Sequence, residues 1–463
     1  MTYRYLHRGW ALVAFVVLCA CQPQQTPPEE GWKALPAILE RIVPPKFPDR
    51  EFSITAFGAS GGGTTDCSGA FKAAIESCAA SGGGKVVVPA GIFLTGPIRL
   101  KSNVNLHLSD GAVVKFSTET RQYAELVLTR WEGVECMNYR ALIYAFEQTN
   151  IAVTGTGVLD GQGSAWWSWK GRGQDGWAEG MPSQKKDREV LFAMAEQGVP
   201  VEKRVFGEGH YLRPNFIQPY RCTNVLIEGV TFKDSPMWFI HPVLSSNVTV
   251  RNVTVVGLGP NNDGCNPESS KDVLIKDCYF DTGDDCIAIK SGRNADGRRI
   301  NVPSENIVVQ GCRMKDGHGG VVMGSEISGG VRGVYAEDCV MDSPNLERAI
   351  RFKTNSVRGG TIENIFVRNI DVGEVSEAVI KVDFYYEEGD AGPFTPVMRN
   401  IQIRNLKCSK GMFAVWVKGY ERSPVEDLSL EECTFQGIAK PNVIEGVKNF
   451  SARAVSVNGE PME

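Results

Sequence analysis

Two adjacent carboxylates, Asp284 and Asp285, stand between runs that read as buried strand ("FDTGDDCIAIKSG", 280–292). Like charges repel, and neither acid is cheaply buried without a partner. Four neighbouring segments end in a small hydroxyl residue: Ser269 ("GCNPES"), Ser291 ("CIAIKS"), Ser325 ("VVMGS") and Thr354 ("IRFKT"). Aligned on those ends, Asp263 and Asp285 share one position, Asp284 matches His318, and Lys290 matches Lys353 two residues beyond Arg351. If the segments are adjacent parallel strands, equivalent residues lie ~4.8 Å apart. Crowded carboxylates split their pKa values, leaving one protonated as an acid and others ionised as bases. Glycoside hydrolysis uses such a set, with ~6.5–9.5 Å between acid and base where a water must fit between them. A single Asp in such a strand more often caps a turn or ligates calcium. Three Asp with a His and a basic pair in register point to a catalytic site, with no metal or cofactor expected.

Something must hold these residues in register, and the chain repeats itself to do so. The phrase "TNVLIEGVTF" (223–232) recurs as "SNVTVRNVTV", "KDVLIKDCYF", "ENIVVQGCRM", "RGVYAEDCVM", "ENIFVRNIDV", "RNIQIRNLKC" and "EDLSLEECTF". First apolar residues fall at Val225, Val248, Val273, Ile307, Val334, Ile365, Ile401 and Leu428, in steps of 23 to 36 residues. Each copy alternates with strand period, breaks for two residues and resumes, and none carries a helical stripe. Stacked repeats of this kind make a solenoid, so the fold expected over 48–450 is all-β, a right-handed parallel β-helix. Cys278, Cys312, Cys339 and Cys433 recur at one site and read as a column of small core side chains, not as redox or zinc ligands. A helix capping the N-terminal end is expected in "DCSGAFKAAIESCAASGGG" (66–84), with Asp66 as N-cap and Phe71, Ala74, Ile75 and Cys78 on its apolar face.

Residues 162–215 are the long interruption, rich in Trp, Gly and charge. They are expected to fold over one end of the cleft, with Trp166, Trp167, Trp169 and Trp177 stacking on sugar. Arg204, His210, Tyr211 and Arg213 would stand beside them, the basic residues holding a terminal carboxylate. A cleft closed in this way releases single sugars from a chain end.

Composition is that of a globular protein: 42% hydrophobic, 22% charged, net charge −5. The acidic balance gives no reason to expect nucleic acid as a partner. Arg4 and Arg8 precede the apolar run "WALVAFVVLCA" (10–20), too short to span a bilayer. With "LCAC" following, residues 1–21 resemble a bacterial lipoprotein signal with Cys21 lipidated, and 22–47 read as a tether. The expectation is an exported monomer held at a membrane by its lipid, in the periplasm or at the outer membrane.

"NNDG" (261–264), "GDD" (283–285), "GHG" (317–319) and "RFK" (351–353) together resemble the four motifs of the polygalacturonases, glycoside hydrolase family 28, over roughly residues 50–440. The resemblance implies a pectin-lyase-like solenoid that hydrolyses α-linked galacturonate bonds of pectin with inversion. It implies Asp284 as general acid, Asp263 and Asp285 as activators of water, and His318 as the residue that tunes the acid. Arg351 and Lys353, with Lys290 alongside, would bind substrate, and Tyr386 would lie beneath a sugar. Asn262 replaces the usual Thr and Phe352 the usual Ile. A rhamnogalacturonan hydrolase of the same fold is the nearest alternative, and a calcium-dependent pectate lyase a more distant one.

Overall fold

A computed structural model describes residues 31–462 of the chain. The signal expected over residues 1–21, with Cys21 as its lipidated residue, lies outside the described residues. The repeat phrases stack as parallel strands in the expected register. Val225 pairs with Val248, then Val273, Ile307, Val334, Ile365, Ile401 and Leu428 follow in one unbroken row. Val104 and Ile151 extend that row toward the N-terminus.

The polar residue before each apolar start has a backbone task. Asn224, Asn247, Asp272, Asn306, Asn364, Asn400 and Asp427 all sit at φ between 52° and 59°, a region that Asn and Asp enter more readily than other side chains. Their side chains also stack: Asn247 donates to Asn224 at 2.7 Å, Asn306 to Asp272 at 2.9 Å and Asn400 to Asn364 at 2.7 Å. All eleven cysteines of the described residues are unpaired and buried. In the expected column each thiol donates to the carbonyl two residues earlier, Cys278 to Lys276, Cys312 to Gln310, Cys339 to Glu337 and Cys433 to Glu431.

The capping helix runs Ser68–Ala80, with Phe71, Ala74, Ile75 and Cys78 buried. It starts later than Asp66 capping would require, because Asp66 ends a strand and reaches forward to accept from the Ser68 N–H at 2.9 Å. The tether reading is too long at its C-terminal end. Within 22–47, residues Leu35–Arg41 form a helix. Leu35, Ile38 and Ile42 are buried against Val308, Tyr335 and Phe366 on the outer face of the solenoid, and Arg41 pairs with Asp272 at 2.9 Å. Each such apolar side chain taken from water stabilises by ~1.5–3 kcal/mol, enough to hold a short helix in place.

A second parallel sheet carries the chemistry. Its strands are Ile287–Ile289, Val321–Met323, Arg348–Lys353, Ala378–Asp383, Phe413–Lys418 and Val443–Glu445. Single bridges at Ile240 and Cys265 continue it to Ile143–Phe146 and Ile217–Tyr220. Two excursions leave this face. One is the hairpin Leu126–Trp131/Val134–Tyr139, turned by Glu132 and Gly133 at φ 42° and 82°, the two positive values a two-residue turn needs. The other is the 162–215 insertion, whose main element is the helix Gln184–Glu196.

Candidate active site

Inter-coil hydrogen bonds set the acids side by side. Gly264 N–H donates to the Asp285 carbonyl at 2.9 Å and Cys286 N–H to Gly319 at 2.8 Å, which places Asp263 and Asp285 at equivalent points of neighbouring coils. Asn262, fully buried, locks the loop before Asp263. It donates to the Ser235 and Met237 carbonyls, each at 2.9 Å, and accepts from Gly259 at 3.0 Å. His318 Nδ1 lies 3.0 Å from Asp284 Oδ1, and Asp285 N–H donates to the same oxygen at 3.0 Å. One carboxylate oxygen from each of Asp263, Asp284 and Asp285 lies within 4.8 Å of the other two. That is shorter than the ~6.5–9.5 Å expected of an acid and base facing each other across a water.

The basic residues are engaged with these acids. Lys353 Nζ is 2.6 Å from Asp285 Oδ2, and Arg351 Nη1 is 3.3 Å from Asp285 Oδ1. Lys290 Nζ bridges Asp263 at 3.4 Å and Glu326 at 3.1 Å. Three carboxylates this close could share a cation, but ammonium and guanidinium groups already fill that role. Tyr386 lies beneath Lys353 and Arg351, its ring centre 5.4 and 5.5 Å from them.

Charge and burial divide the three acids. Burial, with the charges of Asp284 and Asp285, holds Asp263 well above the ordinary carboxyl range despite Lys290. Burial acts to raise Asp284 too, but the hydrogen bond and charge of His318, helped by Lys353 and Lys290, outweigh it and hold Asp284 below its usual value. The resting site therefore disfavours charge on Asp263 and keeps Asp284 ionised against an imidazolium. The hydrogen bond to Asp284 pushes His318 up to about 9, against the lowering effect of burial. Its tie to Asp284 is complete below the ordinary histidine value of 6.5 and is lost as the pH climbs through about 9. The alkaline limb of kcat/KM is thus expected near pH 9, and in His318→Gln no titration should remain there. An unchanged limb in the variant would remove His318 from the acid's control.

The walls come from the two excursions. Glu132 at the hairpin tip takes the Arg188 guanidinium at 2.6 Å, and Arg188 lies 3.9 Å from Glu387 on the far side. Together with Lys170 and Tyr386 these residues enclose a pocket of about 190 Å³ over the acids. Several insertion residues expected to meet sugar are spent elsewhere. Trp166 is buried against Tyr123 and Trp169, Trp169 packs on Tyr211, and Trp167 donates to the Ser235 carbonyl at 2.9 Å. Trp177 bonds within its own turn to Met181. Arg204 is buried against Asp296 at 2.8 Å, and Arg213 is buried among Gln184, Pro236, Pro260 and Asn261. His210 pairs with Asp187 at 2.8 Å. Sequence reasoning missed Glu132, Lys170, Arg188, Glu326 and Glu387. Only the "EG" turn before an alternating run offered a signal for the hairpin.

A parallel β-helix whose cleft gathers three acids, a charged histidine and a basic pair, beneath a pocket for a small polar molecule, defines a glycoside hydrolase. The model of the glycosyl hydrolases family 28 matches residues 206–455, and the chain belongs to that family. The crystal structure of a hyperthermoactive exopolygalacturonase from Thermotoga maritima is similar, at TM-score 0.91 and 48% identity over 94% of this chain and 97% of that one. A probable polygalacturonase from Vitis vinifera is 29% identical, covering 84% of this chain and 74% of that protein. The exo-poly-alpha-D-galacturonosidase of Dickeya chrysanthemi is 26% identical, over 73% of this chain and 58% of its own length.

Proposed function

We propose that this enzyme is an exo-acting polygalacturonase, hydrolysing α-linked galacturonate bonds at a chain end with inversion. The observation that carries it is the Glu132–Arg188–Glu387 bridge, which closes one side of the cleft over a pocket of about 190 Å³. Pockets for drug-sized ligands run to ~300–1,000 Å³, so this one suits a single sugar and not a threaded polymer. Similarity to the Thermotoga exopolygalacturonase supports the same reading.

Asp284 protonates the leaving oxygen. Because it is ionised at rest, it draws that proton from the His318–Asp284 pair, in which the imidazolium stands 3.0 Å away. Asp263 and Asp285 hold the attacking water, which can span carboxylates within 4.8 Å of each other by two hydrogen bonds of ~2.8 Å, and the Asp285 carboxylate takes the proton that the water gives up as it attacks. The short spacing alone would also admit a carboxylate nucleophile. Asp285 suits that part poorly, since both its oxygens are held by cations, and Asp263 suits it poorly because burial beside two other acids disfavours its charged form.

One early digest of polygalacturonate tests both claims. Monogalacturonate should accumulate while viscosity barely falls, and proton NMR before mutarotation should show the new reducing end inverted. Mixed oligomers with a rapid viscosity drop would show an open cleft, and a retained anomer would show a covalent intermediate. An ultraviolet-absorbing unsaturated product would mean lyase chemistry, and faster release from rhamnogalacturonan would move the substrate to that polymer.

A further inference from the structure

Each cation beneath the pocket is committed to the protein's own acids: Lys353 and Arg351 to Asp285, Lys290 to Asp263 and Glu326. Arg188, in the wall, is committed to Glu132. Lys170 differs. It lines the same pocket, is partly buried, and among the described residues its Nζ pairs with no carboxylate. Its hydrogen bond, 2.7 Å long, is to the neutral Asn261 Oδ1. That same oxygen accepts from Arg213 at 2.8 Å, and Asn261 Nδ2 lies 3.4 Å from Asp284 Oδ2. Arg213 is sealed from solvent and makes no ion pair among the described residues, so two positive charges converge on Asn261 with no carboxylate in contact, and Glu132 and Asp284 act on them only from further off. A partly desolvated ammonium in that position is costly unless something anionic reaches it. Burial lowers its pKa, Arg213 adds to that, and Glu132 and Asp284 offset the lowering only in part.

Building on the exo-acting reading above, we propose that Lys170 receives the carboxylate of the terminal galacturonate, making the insertion the part of the enzyme that recognises the free acid at a chain end. Asn261 then links recognition to catalysis, since one amide touches both Lys170 and the acid Asp284. A methyl-esterified end offers no charge to this site.

The test compares trigalacturonate with the same trimer methyl-esterified on its terminal unit, using wild type, Lys170→Met and Lys170→Arg. Charge-assisted hydrogen bonds of this kind correspond to ~10–100-fold in affinity. Wild type should prefer the free acid by that factor. Lys170→Met should lose it on the acid, mainly through KM, and change little on the ester, so that the preference collapses; Lys170→Arg should keep most of it. Equal losses on both substrates would show a structural role, and an undiminished preference in Lys170→Met, or none in wild type, would likewise overturn the proposal. Calorimetric titration with monogalacturonate and with galactose gives a readout independent of turnover. If wild type cleaves neither trimer, the exo-polygalacturonase reading fails, while tighter binding of monogalacturonate lost in Lys170→Met still upholds Lys170, and equal binding in the two proteins rejects it.

Discussion

Asp284→Asn lowers kcat on polygalacturonate by roughly 10²–10⁴-fold, the usual contribution of a positioned acid, and leaves the fold intact. The amide keeps the shape of the carboxyl, and its oxygen can still accept from Asp285 N–H and His318, which now share Asp284 Oδ1 at 3.0 Å each. What it cannot do is deliver a proton to the glycosidic oxygen. Two accompanying changes separate this loss from misfolding. His318 owes its raised pKa first to its hydrogen bond with Asp284 and then to that residue's charge, so its NMR titration should fall back toward the ordinary range. The rate loss should also shrink on a galacturonide with a good leaving group, which needs little protonation. Asp263→Asn and Asp285→Asn act on the water and should lose activity on both substrates alike. Near-normal turnover of polygalacturonate by Asp284→Asn would sink the assignment.

How much of this was legible depends on which residues are tied to the repeat. Asp263, Asp284, Asp285, His318, Lys290, Arg351 and Lys353 all lie on coils, and counting back from a hydroxyl located them because parallel pairing fixes register. Inward apolar residues set that register, and a slip of one would turn them to solvent. The outer face also carried a signal that went unread. Leu274, Val308, Tyr335 and Phe366 are apolar where neighbouring coils have Thr249, Gln402 or Ser429, and the helix Leu35–Arg41 covers them. Glu132, Lys170, Arg188 and Glu387 belong to a different class. They reach the pocket from segments that leave the repeat, so no periodicity relates them to the acids. The Trp and Arg residues of 162–215 misled for the same reason: their composition suits sugar binding, yet they hold the insertion together and seat it on the solenoid.

The hairpin is seated on the solenoid through a buried charge cluster, and Arg130→Met should destabilise the protein by about 3–5 kcal/mol, the cost of leaving a buried charge without its partner. Arg130 and Glu268 are both fully buried, 3.3 Å apart, and Arg130 Nη1 also donates to Ser269 Oγ at 3.0 Å. Burial lowers the pKa of His241 despite Glu268, so its ring is neutral. It accepts at Nδ1 from Asn215 and Gln218 and donates from Nε2 to Glu268 at 2.7 Å. Without Arg130, a buried carboxylate would be left with one neutral donor. The double variant Arg130→Met/Glu268→Gln should recover part of the loss, because it removes both charges together. The site would register the change too. The Glu268 backbone pairs with that of Lys290 on the next coil, and Arg130 stands two residues before Glu132 on the hairpin that closes the pocket. A loosened hairpin releases the Arg188 bridge, so early digests by Arg130→Met should shift from monogalacturonate toward mixed oligomers while Asp284 and its partners stay in place. Denaturant midpoints and product profiles measured side by side decide it: a loss under about 1 kcal/mol with an unchanged profile would mean that the hairpin is held by its apolar contacts, with Trp131 and Val134 against Leu191, Leu212 and Trp238, and not by the ion pair.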